Sequence, residues 1–218
     1  MAKIIAFEGI DGSGKTLQFK ILSDFLRKMG KTVKILDFPN YDGFIGSELG
    51  ALLRGKNNIN ARTIDAKSMA LWFALDRFES ISGTDMLSGD FILINRYTLS
   101  NAVYQSVRGE DIVDFILKFE HDILKLPKPD AYIYLAVDPV VAQKNVLKKK
   151  KRRYLGNETQ DVYEASRDLQ LRVFEKYEEC AAKFSSIIKI QCVEESSMKS
   201  KEKIANMVVC ALKEKNII

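Results

Sequence analysis

The chain has 218 residues, 46% of them hydrophobic, and a formal net charge of +5. That length and apolar content suit one compact domain, and no apolar run is long enough to cross a bilayer. A single histidine, His121, and three widely spaced cysteines, Cys180, Cys192 and Cys210, exclude a His-based metal site, a Ser-His-Asp triad and a disulfide framework, so reduced thiols are expected.

Met1-Ala2-Lys3 runs straight into a first strand, Ile4-Ile5-Ala6-Phe7, so neither a leader nor a membrane span is expected and a cytoplasmic location follows. Directly after it comes Gly9-Ile10-Asp11-Gly12-Ser13-Gly14-Lys15-Thr16, and then a helical pattern. Strand, glycine-rich loop ending in Gly-Lys-Thr, and helix is the context that makes a phosphate-binding loop. The glycines let successive backbone N–H groups turn inward, and the helix starting near Gly14 adds the positive end of its dipole. Lys15 can reach the β- and γ-phosphates of a nucleoside triphosphate such as ATP, and the Thr16 hydroxyl can ligate Mg2+.

Further along, Leu17, Ile21, Leu22, Phe25, Leu26 and Met29 keep helical spacing up to Gly30. Residues 32–38 form a second strand ended by Pro39, and a loop carries Asn40, Tyr41, Asp42 and Gly43. A short helix ends at Gly55, and a longer one runs from about 62 to 80. Residues 90–95, apolar almost throughout, fit a strand buried on both faces. Helices are expected over 97–107 and 111–124, then a fourth strand over 131–137. Asp138-Pro139 supplies an N-cap with proline in the first helical position. Residues 159–183 read as a long helix, 186–193 as a fifth strand and 199–215 as a closing helix. This alternation, with the phosphate loop after strand one, predicts a single α/β domain over 1–218. Its core would be a five-stranded, doubly wound parallel sheet flanked by helices, with the site at the carboxyl ends of the strands.

Three other groups bear on chemistry. Asn101, Tyr104 and Gln105 share one face of a helix that follows Asn95-Arg96-Tyr97 and Ser100, where they could read a base edge and a sugar. Periodicity alone favours a plainer outcome, an amphipathic helix with a polar outer face. Phe73 and Arg77, four residues apart, could stack on a base and grip a phosphate; in isolation they would be a core ring and a solvated charge. The run from Lys148 to Arg153 sits between two helices, where a basic lid at about 148–158 could close over the phosphates. Without aromatic interleaving beyond Tyr154, it does not read as a nucleic-acid surface.

Together these residues resemble the thymidylate kinase family, which phosphorylates dTMP with ATP. The matching pieces are residues 7–16, Phe38-Pro39-Asn40-Tyr41, Phe73-Ala74-Leu75-Asp76-Arg77, Arg96-Tyr97 with Ser100-Asn101 and Tyr104-Gln105, and Asp161-Val162-Tyr163-Glu164. The resemblance implies a P-loop nucleoside monophosphate kinase fold, Mg2+ dependence and a homodimer through the helices around 45–80 and 97–107. It places Lys15 and the loop from Gly9 through Gly12, Ser13 and Gly14 on the donor phosphates, with Thr16 on the metal. Phe73 would stack on thymine, Asn101 or Gln105 would meet its polar edge, and Tyr104 would lie against the deoxyribose. Tyr41, Arg77 and Arg96 would hold the acceptor phosphate, and Asp11 would face the sugar or the magnesium shell. Because Gly12 stands where some relatives carry an arginine, the catalytic charge would come from the lid, from Arg152 or Arg153 in the first place, with Lys149, Lys150 and Lys151 as the other candidates.

Two positions depart from the family pattern. Asn95 replaces a usual aspartate, so either Asp11 and Glu8 supply the negative field near the metal, the favoured expectation, or the chain is a slow or specialised relative. Asn40 stands where an arginine is often found near Tyr41. A kinase for another nucleotide or nucleoside, such as deoxyuridylate, and a nucleotide-binding regulatory module without turnover are the competing readings.

Overall fold

A computed structural model describes residues 2–54, 61–82, 88–148 and 166–218. Five parallel strands form one sheet: β1 (Lys3–Glu8), β2 (Val33–Asp37), β3 (Phe91–Asn95), β4 (Ala131–Ala136) and β5 (Ile187–Gln191), in the order β2-β3-β1-β4-β5. The three inner strands are buried almost end to end, which is why FILIN and AYIYLA read as unbroken apolar runs. The edge strands β2 and β5 are only partly covered. With β3 on one side of β1 and β4 on the other, the chain changes winding direction beside the central strand. The crevice at the carboxyl end of β1 is therefore where a ligand fits.

Eight helices cover the sheet among the described residues: α1 (Lys15–Lys28), α2 (Phe44–Arg54), α3 (Ala66–Ile81), α4 (Thr98–Ser106), α5 (Val113–Lys118), α6 (Pro139–Lys148), α7 (Arg167–Lys183) and α8 (Lys201–Glu214). Their starts follow local chemistry. Asp65, Ser166 and Ser200 accept the backbone N–H of Ser68, Leu169 and Lys203, and Asp138 accepts that of Val140 at 2.8 Å. The cap at Asp65 explains why α3 begins later than the expected residue 62.

Three expectations need correction. The helix expected over 111–124 is α5 followed by a widened π turn, Phe119–Ile123, closed by Leu124 N–H on the Phe119 carbonyl at 2.9 Å. The turn buries both Glu120 and His121. The His121 ring bonds the Leu126 carbonyl at 2.9 Å and the Thr98 hydroxyl at 3.0 Å, and burial lowers its pKa; it is a core residue. The fifth strand stops at Gln191. Beyond it β6 (Val193–Glu194) and β7 (Ser197–Met198) make a small hairpin through Glu195 and Ser196, both left-handed. Last, α4 has no polar outer face: every one of its residues is buried. The basic run from residue 149 on, and the first part of the helix expected over 159–183, lie outside the described residues. All three cysteines are free.

Candidate active site

The glycine-rich loop leaves β1 and enters α1 at Gly14, which adopts the left-handed conformation at φ 90°. A Cβ on Gly12 would lie 2.1 Å from the Ala142 carbonyl oxygen of α6, so the backbone of α6 packs where a side chain would stand. No arginine fits there, which gives a physical reason for a catalytic charge to come from elsewhere. Lys15 is buried, its ammonium donating to the Gly9 and Ile10 carbonyls at 2.9 and 2.8 Å. Gly9 and Ser13 are buried within the loop and do not line the cavity described below, and the Ser13 hydroxyl has no hydrogen-bond partner.

Strand β3 ends in Asn95, and the next residue, Arg96, turns at φ 61°. A left-handed arginine is costly unless its surroundings over-determine it. Here β1 does so: the Phe7 carbonyl accepts Arg96 N–H at 3.0 Å, and the Glu8 carboxylate accepts Tyr97 N–H at 2.9 Å. Glu8 also accepts the Ser100 and Tyr177 hydroxyls, and burial raises its pKa. It is a pin between β1, α4 and α7.

The Arg96 guanidinium pairs with Asp11 and lies over the Tyr104 ring, 5.4 Å from its centroid. Burial, the largest single influence, opposes its charge, but Asp11 together with Tyr104, Tyr177 and Glu8 outweighs it and the pKa rises. Asp11 also receives the Tyr104 hydroxyl at 3.1 Å and the Gln170 amide at 3.1 Å, while its own N–H donates to Gln170 at 3.2 Å. Four elements thus converge on the phosphate loop: β1, the turn after β3, α4 and α7.

A second charged cluster stands apart from the first. Arg77 is 2% exposed and donates from two nitrogens to Glu120, both at 2.6 Å. The Glu120 carboxylate also accepts Asn101 Nδ2 at 2.9 Å. Arg77 is therefore not a solvated charge: Glu120 holds its Nε and Nη2, and the side chain lines the cavity. It belongs with Asn101, while Arg96 alone joins the phosphate loop. Two buried polar atoms remain without partners here, the acceptor Asn101 Oδ1 and the donor Gln105 Nε2. The Gln105 oxygen is already held by Arg108 at 2.5 Å.

The loop after β2 closes the site. Asp76 accepts the Asn40 backbone N–H, at 3.1 and 3.2 Å to its two oxygens, and burial pushes its pKa up to about 6. The Asn40 side chain donates to Ser80 at 3.2 Å, so it anchors the loop that presents Tyr41. The phosphate loop, the loop after β2, α3, the turn after β3 and α4 all contribute residues to one cavity of about 660 Å³, within the range of small-molecule sites. Asp11, Gly12, Gly14, Lys15 and Thr16 line its loop end. Tyr41, Phe73, Arg77, Arg96, Ser100, Asn101, Tyr104 and Gln105 also line it. Arg152 and Arg153 fall outside the described residues.

Sequence reasoning missed Glu120, Gln170, Asp37 and the anchoring role of Asp76. Only Glu120 left a trace: Val113, Ile116 and Glu120 share helical spacing, so a carboxylate occupies an apolar position.

A phosphate loop after the central strand of a β2-β3-β1-β4-β5 parallel sheet, opening on a deep cavity, is the architecture of P-loop nucleoside monophosphate kinases. Within that class, the sequence model described as thymidylate kinase matches residues 7–204. The thymidylate kinase of Mycobacterium tuberculosis is 32% identical, over 82% of this chain and 86% of its own length. A probable thymidylate kinase of Methanocaldococcus jannaschii is also 32% identical, over 96% and 95%. The chain belongs to the thymidylate kinase family. The solved structure of thymidylate kinase from Candida albicans superposes with a TM-score of 0.72, covering 99% of this chain and 93% of that one. At 22% identity, that likeness speaks for the fold.

Proposed function

We propose that the protein transfers the γ-phosphoryl group of ATP to dTMP, giving dTDP, with Mg2+ as the metal. The observation that carries the choice of acceptor is the pair of orphaned atoms near Phe73. Asn101 Oδ1 seeks a donor and Gln105 Nε2 seeks an acceptor, both in the cavity wall. A pyrimidine imide edge offers an N–H donor next to a carbonyl acceptor, which satisfies both; a buried polar atom left unmatched costs about 1–3 kcal/mol. Phe73, half-buried on the same wall, supplies the stacking face.

The remaining roles follow from the two clusters. Lys15 and the loop amides take the donor phosphates, and the oxygen ligands at hand, the Thr16 hydroxyl first, suit Mg2+, which keeps several waters. The metal would neutralise charge on the β- and γ-oxygens. Arg96 and Tyr41 hold the acceptor phosphate in line with the γ-phosphorus, and Tyr104 lies against the deoxyribose. Asp11 fixes the Arg96 fork, so positioning supplies most of the acceleration. Ser100, tied to Glu8, supports the turn from below. Arg77 serves the base end through Glu120. The segment at about 148–158 acts as the lid, with Arg152 or Arg153 stabilising the transferring group. The protein works in the cytoplasm as a homodimer, without nucleic-acid or membrane partners. An exposed apolar row on α3, Leu71, Leu75 and Phe78, supports the dimer, whereas α4 is covered by its own chain and offers no face.

The test is ADP release with ATP, Mg2+ and a panel of nucleoside monophosphates and deoxynucleosides. Turnover should be highest with dTMP and absent with unphosphorylated thymidine. Activity with no acceptor, or preference for a purine acceptor, would remove the reading.

A further inference from the structure

Two carboxylates line the cavity among the described residues, Asp11 and Asp37. Asp11 is engaged by Arg96, Tyr104 and Gln170. Asp37 ends β2, is exposed, and stands in register beside Asn95 at the end of β3. Asn95 Nδ2 donates to Asp37 Oδ1 at 2.8 Å. A carboxylate only accepts, so the amide must turn its nitrogen to Asp37, which leaves Asn95 Oδ1 as a fixed acceptor. That oxygen is buried and has no partner, in a side chain only 7% exposed. A cavity-lining acceptor with nothing to accept calls for a donor, and water polarised by a divalent cation is a strong one.

We propose that Asp37, oriented by Asn95, orders the hydration shell of the magnesium ion that accompanies ATP. The negative charge missing at position 95 thus stands one strand over. Asp37 bonds metal-bound water through its carboxylate, while Asn95 Oδ1 accepts from a second water of the same shell. No group of three or more His, Cys, Asp or Glu side chains among the described residues can hold an ion directly. Mg2+ does not need one, since it binds through one or two carboxylates and retains waters between substrate phosphates. Groups that orient metal ligands in this way are worth about 10–100-fold in metal affinity.

This inference rests on the site's being an ATP–magnesium site, and the experiment separates the two. Mn2+ binding is measured by electron paramagnetic resonance in the presence of ATP and without acceptor. The wild type is compared with Asp37→Asn and with the double variant Asp37→Asn/Asn95→Asp, and ATP affinity in EDTA serves as control. Asp37→Asn should weaken Mn2+ binding about tenfold or more, raise the Mg2+ concentration needed for half-maximal turnover, and leave metal-free ATP affinity unchanged. The double variant should return to within about threefold of wild type, because the charge is restored across the same hydrogen bond. Asp37→Ser, which carries no charge, replaces the asparagine variant if that one does not fold. Wild-type Mn2+ affinity in the single variants overturns the inference, and so does a double variant no better than the single one. A wild type that binds neither ATP nor Mn2+ overturns the activity reading along with it.

Discussion

Lys15 can be reached by backbone carbonyls of its own loop because Gly9 and Gly12 turn left-handed and leave no side chain in the way. In the proposed reaction its charge faces the donor phosphates, so Lys15→Ala should abolish turnover in the ADP-release assay. The loss should reach several kcal/mol of transition-state stabilisation, about tenfold in rate for each ~1.4 kcal/mol. Glu120 tests the other cluster. Glu120→Ala removes the carboxylate that pairs with the buried Arg77 and should destabilise the fold by about 3–5 kcal/mol in urea unfolding. Asp76 gives a pH signature. Its folded pKa of about 6 lies above the ordinary 3.8, so the stability it contributes is full below pH 3.8 and lost as pH rises through about 6. Asp76→Asn should therefore gain melting temperature relative to wild type between pH 4.5 and 7.5; a gap that stays constant would contradict the burial argument. At this scale the sequence was informative where spacing carries meaning. Asn101, Tyr104 and Gln105 share a helix face and do line one cavity. Glu120 was not legible as Arg77's partner, because 43 residues separate them and only the packing of α3, α4 and the π turn brings them together.

Among elements, α7 has the least expected task. Ser166 caps its start and the basic run precedes it, while one turn in, Gln170 exchanges two hydrogen bonds with Asp11. Whatever moves the start of α7 is thereby felt at Asp11 and, through it, at Arg96. Gln170→Ala should lower kcat about tenfold, roughly one charged hydrogen bond's worth, with little change in melting temperature; an unaltered kcat would show the amide to be passive. The strands were readable because three of them are buried almost end to end and apolar except at their ends. Helix α4 was misjudged for the opposite reason: its polar residues face a cavity and a buried carboxylate, and periodicity cannot tell such an interior from solvent. The π turn escaped because a single widened turn leaves helical spacing nearly intact on either side.

For the whole molecule, alternation of strands and helices sufficed to predict the sheet and the end at which the site lies. It could not predict the strand order, which depends on how β3 and β4 flank β1. The face at which two copies would meet is likewise a property of the assembled surface. Leu71, Leu75 and Phe78, 41%, 46% and 39% exposed, fall on one side of α3. Leu71→Lys with Leu75→Lys should convert a homodimer to a monomer in light scattering; a dimer that persists would move the interface elsewhere.

The pairing of Arg77 with Glu120 also divides the cavity electrically. At that end a full positive and a full negative charge cancel across 2.6 Å, so an incoming heterocycle meets local dipoles and little net field. Around the phosphate loop at the opposite end, Lys15 and Arg96 face the Asp11 carboxylate, two cations to one anion, and the net attraction for a dianion is damped by mobile ions over about 8–10 Å. Added potassium chloride should then raise KM for dTMP and for dUMP in parallel while the ratio between them stays flat. How tightly an acceptor is drawn in and how well its ring is told from another would answer to different ends of one chamber.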